Sequence, residues 1–443
     1  MTTDLQERLR TLAERAPAPR ADGPDLWGAG KRRQLRRTVA GALAAVLLAS
    51  TAGVGAAAGW DRLATPDPVG SSGRSSLPDH FWVPGASLGG TDDLGPTGPL
   101  AAVMVAERKD WFDSGYGLVG LSAQTGAYRF LDLPDSAEEG AGSGWPVDPE
   151  LSLDGRLLAY WFVGDPSGDP IGQEDGQRAV VGVAVYDTVA GSVEKVPIPT
   201  EHGLSPQGLV WSGDTLFLKA NQFQQGLFGE NGWARSEGSW HWRRGEQPIR
   251  DDSTYGFLIQ GAAPDGYLSA GPRGTVVVHA DGTHTLVAPR GAFTATPVMS
   301  PDGRLAVGVK DPTPVVDDAT PLPLAVVDTR SKRQWAIPGA RGYEVLGWRD
   351  ATHVAVANPD EQGQNLVISA VDITTGDMTR ISVRPWNDGL PFVASPGIWS
   401  APLDRVEEPR WPMDDRLRAG LWGLGAALLA LVAMAWRRRR TGA

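Results

Sequence analysis

Cysteine is absent from the 443 residues. Its absence excludes disulfides, thiolate metal sites, a cysteine nucleophile and a lipid-modified N-terminal cysteine. Lysine is scarce, 6 against 35 arginines, the usage expected of a GC-rich bacterial genome. Histidine is scarce too. The six lie at 80, 202, 241, 279, 284 and 353, and none forms a His-x-x-x-His pair with an acid. Between residues 60 and 418 no long helical pattern occurs, while 56 glycines and 35 prolines favour turns. Positive charge is missing from the middle of the chain. The net charge is −11, yet residues 1–37 carry nine basic and five acidic side chains, and 437–440 are four arginines. An acidic middle excludes nucleic acid as a partner, because phosphate binding needs a basic surface.

What is present begins with two apolar runs. Residues 38–59 carry no charge, and 22 residues suffice for a hydrocarbon core of about 30 Å. Lys31-Arg32-Arg33-Gln34-Leu35-Arg36-Arg37 precedes them. Residues 419–436 form the second run, with Arg437–Arg440 directly after and Trp422 and Trp436 suited to interfaces. The positive-inside rule then places both termini in the cytoplasm and the middle outside the plasma membrane. Ala56-Ala57-Ala58 leaves cleavage of the first run as a signal peptide open. Ahead of the basic run, Thr3 and Gln6 fit a capping box, and Leu5, Leu9 and Leu12 share one face of a helix over 4–15. So short a helix needs a partner or a membrane surface.

The middle is repetitive. A strand, an Asp-Gly turn and a strand recur at Leu151–Tyr160, Val210–Leu218, around Asp265-Gly266, at Met299–Val307 and at Gly347–Val356. A hairpin follows each, as at Asp187-Thr188 and Asp328-Thr329. Glycine accepts positive φ in such turns, and aspartate bonds the nearby backbone. The turn landmarks at 154, 213, 265, 302 and 350 define units of four short strands, the period of propeller blades. An early hairpin at 117–134 lacks an inner strand, and Phe392–Ser400 is a spare one that closes the ring. The expected fold is all-β: a six-bladed propeller, with seven blades as the alternative, flanked by two transmembrane helices. The expected layout is a cytoplasmic tail at 1–37, a helix at 38–59, a linker at 60–79, the propeller at 80–403, a linker at 404–418, a helix at 419–436 and a basic tail at 437–443.

Ser300-Pro301-Asp302-Gly303-Arg304, with Trp211 and Trp348 one residue before the equivalent of that serine, resembles the TolB-like or WD40-like repeats of bacterial envelope propellers. No Gly-His start or Trp-Asp ending is present, unlike true WD repeats. The layout around the first apolar run also resembles actinobacterial membrane proteins often encoded near sigma factors. These resemblances imply a propeller and do not transfer a function.

Signals for chemistry are weak. Gly85-Ala86-Ser87-Leu88-Gly89 matches G-x-S-x-G but has neither the strand before it nor the helix after it that a nucleophile elbow needs. His279 and His284 flank a turn, and the acids at 165, 169, 174 and 175 lack a calcium-loop register, as do those at 311, 317 and 318. No catalytic residue, cofactor or metal is therefore expected. Of the seventeen tryptophans, Trp60, Trp411, Trp422 and Trp436 fit membrane interfaces, while Trp211, Trp335 and Trp348 fit the core. Phe223, Phe228, Trp233, Trp240 and Trp242 surround a presumed loop insertion at 221–238 and form the candidate binding surface.

The expected function is a non-enzymatic binding or sensor platform tethered in the bilayer. Its partners would be an envelope protein or small ligand at the propeller and a cytoplasmic protein at the N-terminal helix. Two alternatives are an envelope hydrolase or lyase acting in the propeller channel and a membrane-bound sigma-factor regulator.

Overall fold

The computed structural model describes residues 10–11, 74–109, 114–137, 147–171, 178–225, 233–251, 258–294, 297–310, 321–386, 392–409, 411–412 and 415–441. The chain forms two compact units, Leu63–Asp414 and Met1–Arg62 with Asp415–Ala443.

In the terminal unit, Asp415–Thr441 is one helix. Its stretch Ala419–Trp436 has a mean hydropathy of 1.8 and is the one helix among the described residues long and apolar enough to cross a membrane. Trp422 and Trp436 are exposed on it. The other expected span, 38–59, lies outside the described residues, so two transmembrane helices are not established. Of the helix expected over 4–15, residues 10–11 are described and are helical.

The larger unit is mostly β, and its repeat is built at the turns. Ser300 Oγ donates to Asp302 Oδ1 at 2.6 Å and accepts the Leu305 N–H at 2.9 Å. Arg304 N–H also donates to Asp302 Oδ1, at 3.1 Å. Gly303 sits at φ +69°, which a side chain would oppose. Ser152, Asp154 and Gly155 repeat this arrangement. The Asp-Thr hairpins bind to these turns: Thr329 Oγ1 donates to Gly303 O at 2.7 Å, and Thr188 Oγ1 to Gly155 O at 3.1 Å. In these two units the polar residues of the repeat thus tie the first turn to the second.

Between such turns the strands run as antiparallel meanders of four. One comprises Glu150–Leu151, Leu157–Gly164, Ala179–Asp187 and Ser192–Pro197. The next comprises Leu204–Ser212, Thr215–Gln225, Trp233–Arg243 and Ile249–Asp251, and a Val180↔Leu204 pair joins the two into one eight-stranded sheet. Three separate four-stranded sheets span 261–289, 298–342 and 344–385. In the remaining sheet Phe392–Ala394 pairs with Leu100–Lys109, which continues to Ser114–Ser122 and Tyr128–Phe130. The late strand therefore supplies the missing inner strand of the earliest hairpin, as the sequence predicts.

Side chains alternate between the two faces of a strand, so each meander presents apolar residues to both neighbours. The buried clusters follow that rule. Leu151, Leu158 and Tyr160 pack with Val103 and Leu118 on one side. Trp161 and Val183 pack with Trp211 and Trp240 on the other. Further clusters join 204–251 to 261–289, then to 298–342, then to 344–385. The last sheet meets the first through Ala355 and Ile368 against Met104 and Phe130. Each fully buried Val, Leu or Phe in these clusters contributes roughly 1.5–3 kcal/mol. This is the sheet plan of a β-propeller.

Short parallel strands at Leu77–Pro78 and Leu403–Asp404 pair outside the meanders. Leu77 and Phe81 are fully buried there. Trp411 packs its ring edge-on to Tyr128 at 5.3 Å and lies against Gly85. Tyr128 and Gly85 offer it an apolar seat on the β unit.

Candidate functional site

Antiparallel connectivity gives the meanders two unlike ends. At one end lie the links between first and second strands and between third and fourth, all tight turns such as 152–156 and 300–304. At the other end the second strands finish and the third begin, as at Gly164 and Ala179 or Val309 and Leu322, and the fourth strands finish where the next first strands begin. The innermost strands all begin at this loop end.

Three of the five aromatic residues singled out in the sequence are turned into the core. Trp240 and Trp242 are buried in the core between two meanders, and Phe223 is buried on the Thr215–Gln225 strand. Within the stretch expected to be a loop, residues 221–225 and 233–238 continue a β-hairpin, paired as far as Gln225↔Trp233. Pairing commits alternate residues to the sheet faces, which carries these rings inward. Trp233 lies on that hairpin, and Phe228 lies outside the described residues.

The histidines are engaged in packing and turns. His279 meets Asp265 at 3.2 Å and Thr285 Oγ1 at 3.1 Å. His353 meets Asp350 at 3.0 Å and Asp372 at 3.7 Å. Ser87 sits in a turn with no strand leading into it; a helix does follow, against expectation, but Thr91–Leu94 is a single turn starting beyond Gly90, so no elbow forms. Among the described residues no three His, Asp or Glu side chains gather as a metal cluster. Glu174, Asp175, Asp311, Asp317 and Asp318 lie outside those residues.

Sequence reasoning passed over the loop-side ends of the innermost strands. Glu150 opens one such strand. Burial, reinforced by the charge of Asp148, pushes its carboxyl up to about 8. Glu344 opens another and Phe392 a third. Arg384 reaches in between them from an outer strand, Met378–Pro385. Its guanidinium lies 4.5 Å from the Phe392 ring centroid, a cation–π contact. Its Nη2 stands 3.5 Å from Glu344 Oε2, and its side chain is 14% exposed. Among the described residues Arg384 Nε is buried without a hydrogen-bond partner. Burial holds the Arg384 group below its usual range, partly offset by Glu344. Crowding by the strand ends lifts the Glu344 carboxyl, partly offset by Arg384, although about half of its side-chain surface stays open. Alongside, the rings of Tyr343 and Trp386 lie 5.3 Å apart at 45°, and Tyr343 is 38% exposed.

Signals for this group were thin in the sequence. Arg384 and Glu344 belong to no motif, and Phe392 was read only as part of the closing strand.

No protein-family model matches the chain, and no curated protein matches it in sequence. Solved structures do. TolB from Acinetobacter baumannii has 13% identity and a TM-score of 0.40 over 69% of each chain. An oligogalacturonate lyase in complex with manganese has 11% identity and a TM-score of 0.39, over 69% of this chain and 77% of the other. A periplasmic gluconolactonase from Pseudomonas aeruginosa has 15% identity and a TM-score of 0.31, over 67% of this chain and all of the other. Two of these three are enzymes by name. The expectation of a non-enzyme is corrected accordingly, since enzymes stand among the structures this chain resembles.

Proposed function

We propose that the chain is a membrane-anchored binding or sensor platform of the bacterial envelope, whose six meanders close as a six-bladed propeller. In this reading the loop end receives an envelope protein or small ligand. Both termini are cytoplasmic, and the N-terminal helix meets a cytoplasmic partner. The observation that supports it best is the contrast between the two ends. One is tied by turn hydrogen bonds, while the other carries Glu150 on one strand end and, separately, Glu344 beside an Arg384 whose Nε has no hydrogen-bond partner among the described residues. Conserving free energy of folding does not require such groups at strand ends, whereas recognition does.

The membrane part rests on Ala419–Trp436 and its following arginines. Protease protection on cells carrying a tag at each end tests it. Protection of both tags with digestion of the middle is expected. Loss of the N-terminal tag through processing near Ala58 would remove the cytoplasmic partner of the N-terminal helix from this reading.

A hydrolase or lyase acting at the axis is the second reading, and Glu150 favours it. A carboxyl titrating at about 8 is protonated at neutral pH and suits a general acid. Any turnover found on a panel of chromogenic esters and glycosides should vanish in Glu150→Gln; turnover that persists would sink this reading.

A further inference from the structure

The geometry points to a carboxylate-binding subsite at the loop end, formed by Arg384 between Glu344 and Phe392 and walled by Tyr343 and Trp386. It rests on the reading of the loop end as the binding end and names the chemical class bound there.

Arg384 carries five N–H donors in a rigid planar fork. The Phe392 ring at 4.5 Å covers the guanidinium. Glu344 at 3.5 Å is farther than the 2.7–2.9 Å of a charge-assisted hydrogen bond, so it balances the charge without filling the fork. A largely buried guanidinium left in this state is costly, and an arriving carboxylate completes it. Nε is buried, so the ligand meets the Nη edge.

The same arrangement limits the ligand's charge. One guanidinium faces one carboxylate, and a phosphate dianion would meet repulsion from Glu344 that its second charge makes worse. A monoanionic carboxylate is the better match. The tilted Tyr343–Trp386 pair offers an apolar wall of ring size. The ligand class is therefore a carboxylate borne on a ring-sized body, such as an acidic sugar or an aryl acid.

Full-length protein in nanodiscs, titrated by ligand-observed NMR, tests this. The probes are phenylacetate and glucuronate, each beside its neutral amide, with inorganic phosphate as competitor. Both acids should bind at least about tenfold more tightly than their amides. Arg384→Gln should erase that preference, and Arg384→Lys should keep part of it. Glu344→Gln should tighten acid binding by about threefold or more, which tests the idea even if the arginine variants fold poorly. Tyr343→Ala should weaken acid and amide alike.

Equal binding of acids and amides overturns the subsite, as does an acid preference that survives Arg384→Gln. Phosphate displacing phenylacetate at lower concentration overturns the carboxylate class. No binding of either acid up to about 20 mM also overturns it. A failed tag-protection result beside an intact acid preference would remove the membrane topology and leave the subsite standing.

Discussion

Ser382 Oγ donates a 2.7 Å hydrogen bond to Pro78 O, across 304 residues of chain. The pair is buried and ties the short N-terminal strand to the outer strand of the last meander. Phe81 N–H strengthens the same seam, donating to Val383 O at 2.7 Å. Ser382→Ala should cost about 1–2 kcal/mol, because a buried carbonyl loses its partner. Chemical denaturation of the wild type and the variant measures this. An unchanged midpoint would show that the seam does not contribute to the unit's stability.

Thr329 and Gly303 supply a second test. Replacing Thr329 by Val keeps the shape but removes the donor to Gly303 O. A loss of about 1 kcal/mol is expected, with Thr329→Ser retaining most of the stability. Equal melting temperatures for Val and Thr would mean that the repeat's threonine acts through packing alone.

Two turn glycines should respond unequally to alanine. At Gly376, φ is +80° and an added Cβ would stand 1.8 Å from Pro338 O. At Gly363, φ is +66° but nothing lies within 4 Å. Gly363→Ala should cost about 1 kcal/mol from backbone strain alone, and Gly376→Ala distinctly more. Similar losses would argue against the close approach of the Gly376 turn to Pro338.

Glu150 predicts a pH dependence. Its carboxyl titrates at about 8 in the folded chain, above the ordinary 4.5. Between those values the folded state holds a proton that the unfolded state has released. Stability therefore falls as pH rises from about 4.5 to 8 and levels off above that. Glu150→Gln should stabilise the protein by about 1–3 kcal/mol at pH 8–9 and change little near pH 4. Thermal melts across this range check the sign. A constant difference at all pH values would show that Glu150 titrates normally.

The repeating parts of the fold were legible in the sequence, because they depend on residues close together in the chain. Ser300, Asp302 and Gly303 satisfy one another within a single turn, so their spacing carries the geometry. Phe392–Ala394 was legible by elimination, as a strand with no other place to pair. The hairpin at 215–243 was not. Its outer part is rich in Gln, Gly and Asn, which read as a loop, while cross-strand pairing overrides that composition. The candidate site was invisible for a related reason. Arg384, Glu344 and Phe392 come from three strands, and only tertiary packing sets the guanidinium against the ring.

The Ala102↔Ala394 pairing also constrains how the protein is made. Roughly 300 residues separate the two strands, and at about 5–20 residues per second they take about 15–60 s to synthesise. Throughout that interval the Leu100–Lys109 strand has emerged with one edge bare. Its run Leu100–Ala106 is wholly buried in the finished protein. The nascent chain must therefore keep that edge from pairing elsewhere until its last inner strand arrives. Truncation anywhere before residue 392 would leave that edge open permanently, and the product should be recovered as aggregate or degraded.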